Sequence, residues 1–590
     1  MSISGIDLFI IVAFFAITLA IGLLVARRSG KNASEFFLSG RNMPWWLLGV
    51  SMVATTFSAD TPNLVTQFVR EDGVAGNWRW WAFLLTGMLT VFVYARLWRR
   101  SGVNTDLEFY ELRYSGKPAA FLRGFRAIYL GVFFNVVIMA SVCVAAIKIG
   151  NILLGLEAWQ TLLFGSVITV VYSALGGLRS VVLTDFLQFI IAMAGAIGAA
   201  WYVLSMPEIG GLDGLLAHEV VASKLDMVPD WNNEDLFWGL LVIPLAVQWW
   251  SVWYPGAEPG GGGYIAQRML AAKDEKNAVG ATLFFNLAHY ALRPWPWIII
   301  ALASLVIFPT VADIQTAFPN VTPGKLGHDL GYSAMLSFLP VGLLGLVVAS
   351  LIAAFMSTLS THLNWGSSYV VNDFYVRFVK PDATDKQQVS VGRWSTVLMM
   401  ILAAGTSYLI ENAGQGFNLL LQIGAGTGSI FILRWFWWRV NAMAEIAGMT
   451  ISFVVAVGLL IYQNTTGVEL SSSFQLILAV GLTTIGWVLV ALLTKPTDRA
   501  TLTNFYKHIR PHGSGWKNVV DPDVYVKGGA KGSLSSGIIA MLLGCIGVYA
   551  ILFGVGKWIY GDVQTAMILL GIAAVAIVIV MKLWSRLSSN

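Results

Sequence analysis

A chain of 590 residues that is 57% apolar and only 12% charged departs from soluble proteins, in which about a quarter of residues are charged. At a mean hydropathy of +0.70 the solvent for most of it is lipid, and disorder, coiled coil and collagen are excluded. The net charge of +5 would suggest nucleic acid as partner of a soluble chain, but here most Lys and Arg fall in loops on one side of a bilayer, and no nucleic-acid partner is expected.

The first apolar run, 7–26, follows Asp7 instead of a basic segment and meets Arg27-Arg28 with no small-residue cleavage site. It is therefore read as a span and not as a signal peptide. Further runs that can cross a bilayer fall at 45–70, 78–98, 121–154, 159–175, 179–204, 235–256, 279–308, 332–371, 390–411, 415–439, 443–463, 472–494, 534–556 and 560–584. Fifteen spans follow. The run at 332–371 is long enough for a span plus a short extra helix. With the N-terminus outside, most Lys and Arg become internal, among them Arg96–Lys117, Arg123, Arg126, Arg179, Arg268–Lys276, Arg434 and Lys495–Lys531. The external loop 205–234 is acidic. Residues 495–533 read as a cytoplasmic connector.

Two spans are interrupted. The second contains "VATTFSADTPNL", crowded with small and polar residues, and Pro62 removes an amide donor near its centre. The seventh contains Pro255, Pro259 and the run Gly260–Gly263. Freed backbone groups at membrane depth are tolerated where they line a polar cavity or are buried in protein. One such Pro is an ordinary kink. Two broken spans five apart are the pattern of inverted repeats, about 45–204 and 235–439, with ion and solute between them.

The ninth span carries "AAFMSTLST", in which Ala354, Ser357, Thr358 and Thr361 share a helix face and Ser360 lies beside them. Hydroxyls and carbonyls are hard ligands suited to an alkali cation. Singly, such hydroxyls bond back to the preceding turn; as a cluster opposite a broken helix they point to an ion site. Asp185 lies early in the sixth span. Its partner is either a monovalent cation or a structural arginine such as Arg179, and position alone weighs the two equally.

Asp60, Glu258, His289 and Arg293 are the other ionisable groups at membrane depth. Asp60 either supports the ion site or pairs with a cation. Arg293 facing the cavity would favour a carboxylate on the solute. Arg79, at a span start, either snorkels or faces the cavity. Trp249, Trp250, Trp253 and Tyr254 adjoin the seventh-span break, where aromatics stack on a sugar or pack as core. "GAGTGS" at 424–429 has no following Lys and is rejected as a phosphate loop. Cys143 and Cys545 form no metal or redox motif.

At "FFLSGRNMPWW" (36–46), "VATTFSAD" (53–60), "GGLRSVVLTDFLQ" (176–188), "YIAQRMLAAK" (264–273) and "AAFMSTLS" (353–360) the chain resembles the sodium/solute symporter family of galactose, proline, sialic acid and iodide transporters. The resemblance covers residues to about 494 and implies an all-α polytopic membrane protein with an inverted five-helix, LeuT-like core. It implies a main sodium site at Ala54, Phe57, Ala354, Ser357 and Thr358, with Ala54 and Phe57 acting through carbonyls. Asp185, Ser357, Ser360 and Thr361 match a second sodium site, so one or two Na+ per cycle are implied. Gln422 matches a sugar-contacting glutamine of the galactose transporter. Thr61 falls where that transporter has a Gln, and Arg79 falls near its sugar-binding Glu, so galactose itself fits poorly. Trp253, Tyr264 and Asn418 complete the cavity candidates.

The expected protein is a plasma-membrane sodium symporter of a small polar solute, sugar-like or acidic, and not an enzyme. Residues 1–494 are its core and 534–590 add two spans. A proton-coupled transporter of the same fold and a non-transporting nutrient sensor are the alternatives. An intramembrane enzyme would need a convergent nucleophile and base, and no such set is present.

Overall fold

The computed structural model describes residues 4–251, 258–319, 321, 326–410, 424, 426–525 and 534–588. Its helices, in chain order, are α1 (Gly5–Ser29), α2 (Trp45–Thr56), α3 (Thr61–Asp72), α4 (Val74–Ser101), α5 (Gly116–Ile149) and α6 (Ala158–Leu204). There follow α7 (Gly263–Ala271), α8 (Glu275–Ile307), α9 (Leu343–Val379) and α10 (Asp385–Leu409). The last four are α11 (Ala442–Thr466), α12 (Ser472–Leu493), α13 (Leu534–Ile559) and α14 (Val563–Ser588).

Among the described residues, 11 helices are long and apolar enough to cross a bilayer. The difference from fifteen expected runs has identifiable causes. The run 45–70 is split into α2 and α3, each too short alone. The runs 159–175 and 179–204 form one helix, α6, bent at Gly177. The run 235–256 breaks up after Ile243–Ala246, and much of 415–439 lies outside the described residues. A short helix, Leu330–Leu336, precedes α9, as the long run there suggests.

The bend in α6 requires glycine. Gly177 has φ +53°, and a Cβ there would lie 2.5 Å from the Phe36 carbonyl oxygen. On both sides of the bend α6 packs against α1 and α9, and it also meets α2, while α2 and α3 lean on α8. Asp7 explains its own place at the head of an apolar span. Its Oδ1 accepts the amides of Gly342 and Gly345, both at 2.7 Å, and so caps the exposed amides at the start of α9. Arg70, near the end of α3, donates to the Ser304 and Phe308 carbonyls that close α8.

The break in the second span lies at residues 57–60, and Pro62 falls within the first turn of α3. Proline there loses no helical hydrogen bond. Pro62 therefore starts the second half-helix instead of interrupting a continuous one. In the seventh span, Gly260, Gly261 and Gly263 have φ of +88°, +81° and +54°, and α7 resumes only at Gly263.

Candidate functional site

The end of α2 meets α9, α6 and α7 in a buried, hydroxyl-rich junction. Thr358 Oγ1 donates to the Thr55 carbonyl at 2.9 Å, and the hydroxyls of Thr55 and Thr361 lie 2.9 Å apart. Beyond Thr56 the helix stops, so its last carbonyls have no amide one turn ahead. Phe57 N folds back onto the Val53 and Ala54 carbonyls, at 3.0 and 3.1 Å. Ala54, Phe57, Ala354, Ser357 and Thr358 are all buried. The assembled groups are main-chain carbonyls and hydroxyls, a donor set that suits a hard monovalent cation.

Asp185 is fully buried and accepts hydrogen bonds from Ser51 Oγ at 2.5 Å and Ser357 Oγ at 2.6 Å. Its ionic partner is Arg268, at 3.8 Å, and not Arg179. Arg268 also donates to Ser51 Oγ at 3.2 Å and Thr361 Oγ1 at 2.7 Å. The four elements are thereby pinned through one carboxylate and one guanidinium. Ser360 turns away to the Ser357 carbonyl, at 3.0 Å.

Arg268 corrects the reading of 268–276 as a cationic loop. It is 0% exposed, because α7 continues the broken span to Ala271. In sequence it reads only as a loop charge, although it stands inside the segment "YIAQRMLAAK". Ser51 and Thr55, one turn or less from Ala54, are also missed by sequence reasoning. Their signal is i, i+4 spacing along α2, which sets both hydroxyls on the face that meets α6, α7 and α9.

A second cluster gathers around Thr56, the last residue of α2. His289 Nδ1 is 3.0 Å from Thr56 Oγ1, and Arg293 Nη1 donates to Thr56 Oγ1 at 3.2 Å. The Arg293 guanidinium also lies 5.3 Å over the Trp297 ring. Thr61 opens α3 just past the break, its hydroxyl accepting Ser58 N at 3.3 Å. The side chain of Asp60 has no cationic partner among the described residues, and its Oδ1 is buried without a hydrogen bond.

Other candidates lie elsewhere. Arg79 forms an ion pair with Asp72 at 2.6 Å, at the end of α3, so its charge is committed there. Tyr264 is buried on α7 beneath Arg268, 5.6 Å from ring centroid to guanidinium. Trp253, Tyr254, Asn418 and Gln422 lie outside the described residues.

Glu258 is not a cavity group. It pairs with Arg126 at 2.7 Å, both nearly fully buried, at the Lys- and Arg-rich end of the bundle. Arg126 also bonds the Tyr110 hydroxyl, which lies 3.3 Å from Arg434. Arg434 in turn faces Glu445 at 3.7 Å, and Tyr114 donates to Glu445 at 2.5 Å. Asp106 accepts the Gly263 amide at 2.8 Å and the Tyr369 hydroxyl. Several cations that a loop count assigns to open water are thus structural. The connector adds to this closure: its helix Arg499–Ile509 and Trp516 pack on Arg113, whose guanidinium lies 5.3 Å from the Phe505 and Trp516 rings.

Residues 36–452 match the sequence model of the sodium:solute symporter family. The sodium/glucose cotransporter of Vibrio parahaemolyticus is 27% identical over 470 residues, covering 77% of this chain and 84% of that protein. Sodium/glucose cotransporter 1 of Oryctolagus cuniculus is 25% identical over 497 residues, covering 78% and 72%. The structure titled as a substrate-bound outward-open state of a Na+-coupled sialic acid symporter aligns with a TM-score of 0.66 at 19% identity, over 84% of this chain and 99% of that one. That likeness shows a common fold. The chain belongs to the sodium:solute symporter family; it is a multi-pass membrane transporter and not an enzyme.

Proposed function

We propose that the protein is a plasma-membrane symporter that uses a sodium gradient to import a small polar organic solute of the sugar type. The observation that carries this reading is the bridge from Thr358 on α9 to the Thr55 carbonyl at the broken end of α2. Sodium would take the oxygens gathered there, with Ala54, Phe57, Ala354, Ser357 and Thr358 as its ligands. An ion that binds this junction better when α2 and α9 are close shifts the population toward that arrangement. The solute would bind beside the break, near Thr61, His289 and Arg293, with Trp253, Asn418 and Gln422 as further candidates. The relatives named for glucose transport favour a sugar over an acidic solute.

Asp185, Ser357, Ser360 and Thr361 form the second ion set. Arg268 already supplies a positive charge to Asp185, so a second sodium would require the guanidinium to withdraw. One ion per cycle is therefore the proposed stoichiometry while that pair holds. The N-terminus is placed outside, residues 1–494 form the transporting core with repeats at about 45–204 and 235–439, and 495–533 is the cytoplasmic connector.

The test is uptake of labelled glucose, mannose, myo-inositol and sialic acid into proteoliposomes. An inward sodium gradient should drive accumulation of at least one sugar, with a Hill coefficient near one for sodium. Uptake that ignores sodium and follows a pH gradient would replace this reading with proton coupling.

A further inference from the structure

The α13–α14 hairpin lies beyond the matched residues 36–452, yet it is docked firmly at one end. Tyr549 donates to the Trp81 carbonyl at 2.8 Å, and Trp295 Nε1 donates to the Leu552 carbonyl at 3.1 Å. Phe553 packs on Trp78 and Trp81. Gly537 and Gly544 bring the first half of α13 close against Phe92 and Met88 of α4, whereas the end of α14 lies across a gap from α8. The gap is a cavity of about 680 Å³ between α4, α8 and the hairpin.

Its walls are nearly all apolar, among them Met88 and Phe92 of α4, Leu283 and Phe284 of α8, and Leu543 and Val580 of the hairpin. Its polar exceptions are Lys276 and Asn277, together at the first turn of α8. A cavity of this lining does not hold water well, and left empty it forfeits dispersion contacts along every wall. Within a bilayer the available filler is an acyl chain.

The charges at the mouth say which lipid. Asn277 is occupied, its Oδ1 accepting the Trp45 amide at 2.9 Å. Asp274 caps α8 through Asn277, and Glu275 pairs with Arg100 at 3.0 Å. Lys276 is exposed, and its ammonium has neither a hydrogen bond nor an ion pair among the described residues. Lys273 is exposed one turn away. A basic side chain at the mouth of an apolar pocket between spanning helices is the arrangement that holds an anionic headgroup.

We propose that this cavity binds an anionic glycerophospholipid, its chains between α4, α8 and the hairpin and its phosphate on Lys276. The lipid would fill the gap left between α8 and the outer face of the hairpin. The inference is independent of which solute or ion the core transports.

The experiment is native mass spectrometry of the delipidated full-length protein, titrated with phosphatidylglycerol and with phosphatidylcholine of identical chains. Phosphatidylglycerol should bind about fivefold more tightly, the ratio expected for one basic residue at an anionic headgroup. K276Q should bring the two lipids to equal affinity. G547F and L543W should lose both, since they fill the cavity; a Cβ at Gly547 has only Ala576 Cβ within 4 Å, at 3.6 Å, so the first variant is tolerated by the backbone. Equal affinity of the two lipids for the unaltered protein would overturn the headgroup assignment. Unchanged phosphatidylglycerol binding by both filled-cavity variants would overturn the site.

Discussion

Arg268 on α7 lies 3.8 Å from Asp185 on α6, and both side chains are fully buried. Neither group stands alone: Ser51 receives from Arg268 and gives to Asp185, so the pair is closed through a hydroxyl. Burying one charge without its partner is far more costly than burying the pair, by about 3–5 kcal/mol. R268Q is therefore expected to lower the thermal midpoint of the purified protein strongly, and the R268Q/D185N double variant to recover part of the loss. A double variant no more stable than R268Q would show that the two groups act separately.

The same reasoning applies at the opposite end of the junction. Glu258 and Arg126 form a pair 2.7 Å apart that fastens the segment leading into α7 to α5, beside the Arg434–Glu445 contact. Opening the transporter toward the Lys- and Arg-rich face would have to separate these groups. E258Q should raise hydrogen–deuterium exchange around 106–126 and 428–441, with little change in α12. Exchange unaltered in those stretches would show that the pair does not hold that face closed.

Gly177 provides a backbone test. Its φ of +53°, and the 2.5 Å that would separate an added Cβ from the Phe36 carbonyl oxygen, leave no room for alanine. G177A should cost about 1–3 kcal/mol through strain at a left-handed position. Thermal unfolding equal to that of the unaltered protein would mean that the bend in α6 relaxes without penalty.

A pH dependence is expected at the basic face, outside the spans. Burial pushes Glu111 up, but hydrogen bonds from Arg377 and Arg123 outweigh it and hold the carboxyl below its ordinary value of 4.5. A carboxyl lowered on folding stabilises the folded state above its unfolded pKa, and that contribution fades as pH falls through the folded value. Hydrogen exchange in 108–126 should therefore rise below about pH 4.5, and E111Q should remove the dependence.

Much of this is legible in the sequence, for physical reasons. Long apolar runs declare spans, and "VATTFSAD" declares a helix that cannot continue. The hydroxyl face of α9 follows from helical spacing. What is not legible is pairing across the fold. Nothing local distinguishes Arg268, buried against Asp185, from a loop arginine, because a broken span shifts where the membrane segment ends. Arg126 and Arg434 read as loop charges for the same reason, since their partners Glu258 and Glu445 lie 132 and 11 residues away in sequence. Pro62 misleads in the opposite direction: it belongs to a helix start, and the break precedes it.

The central claim is that sodium binds where α9 meets the broken end of α2. It is tested most directly by following intrinsic tryptophan fluorescence of the purified protein during a sodium chloride titration, with potassium and choline chloride as controls. Trp297 lies 4.8 Å from Phe57 by ring centroids and Trp365 lies on α9, so reporters are in place. The account predicts a saturable, sodium-specific change whose midpoint rises about tenfold in S357A and in T358A, as loss of one ligand hydroxyl requires. A sodium response identical in both variants, or no sodium-specific response at all, would contradict it.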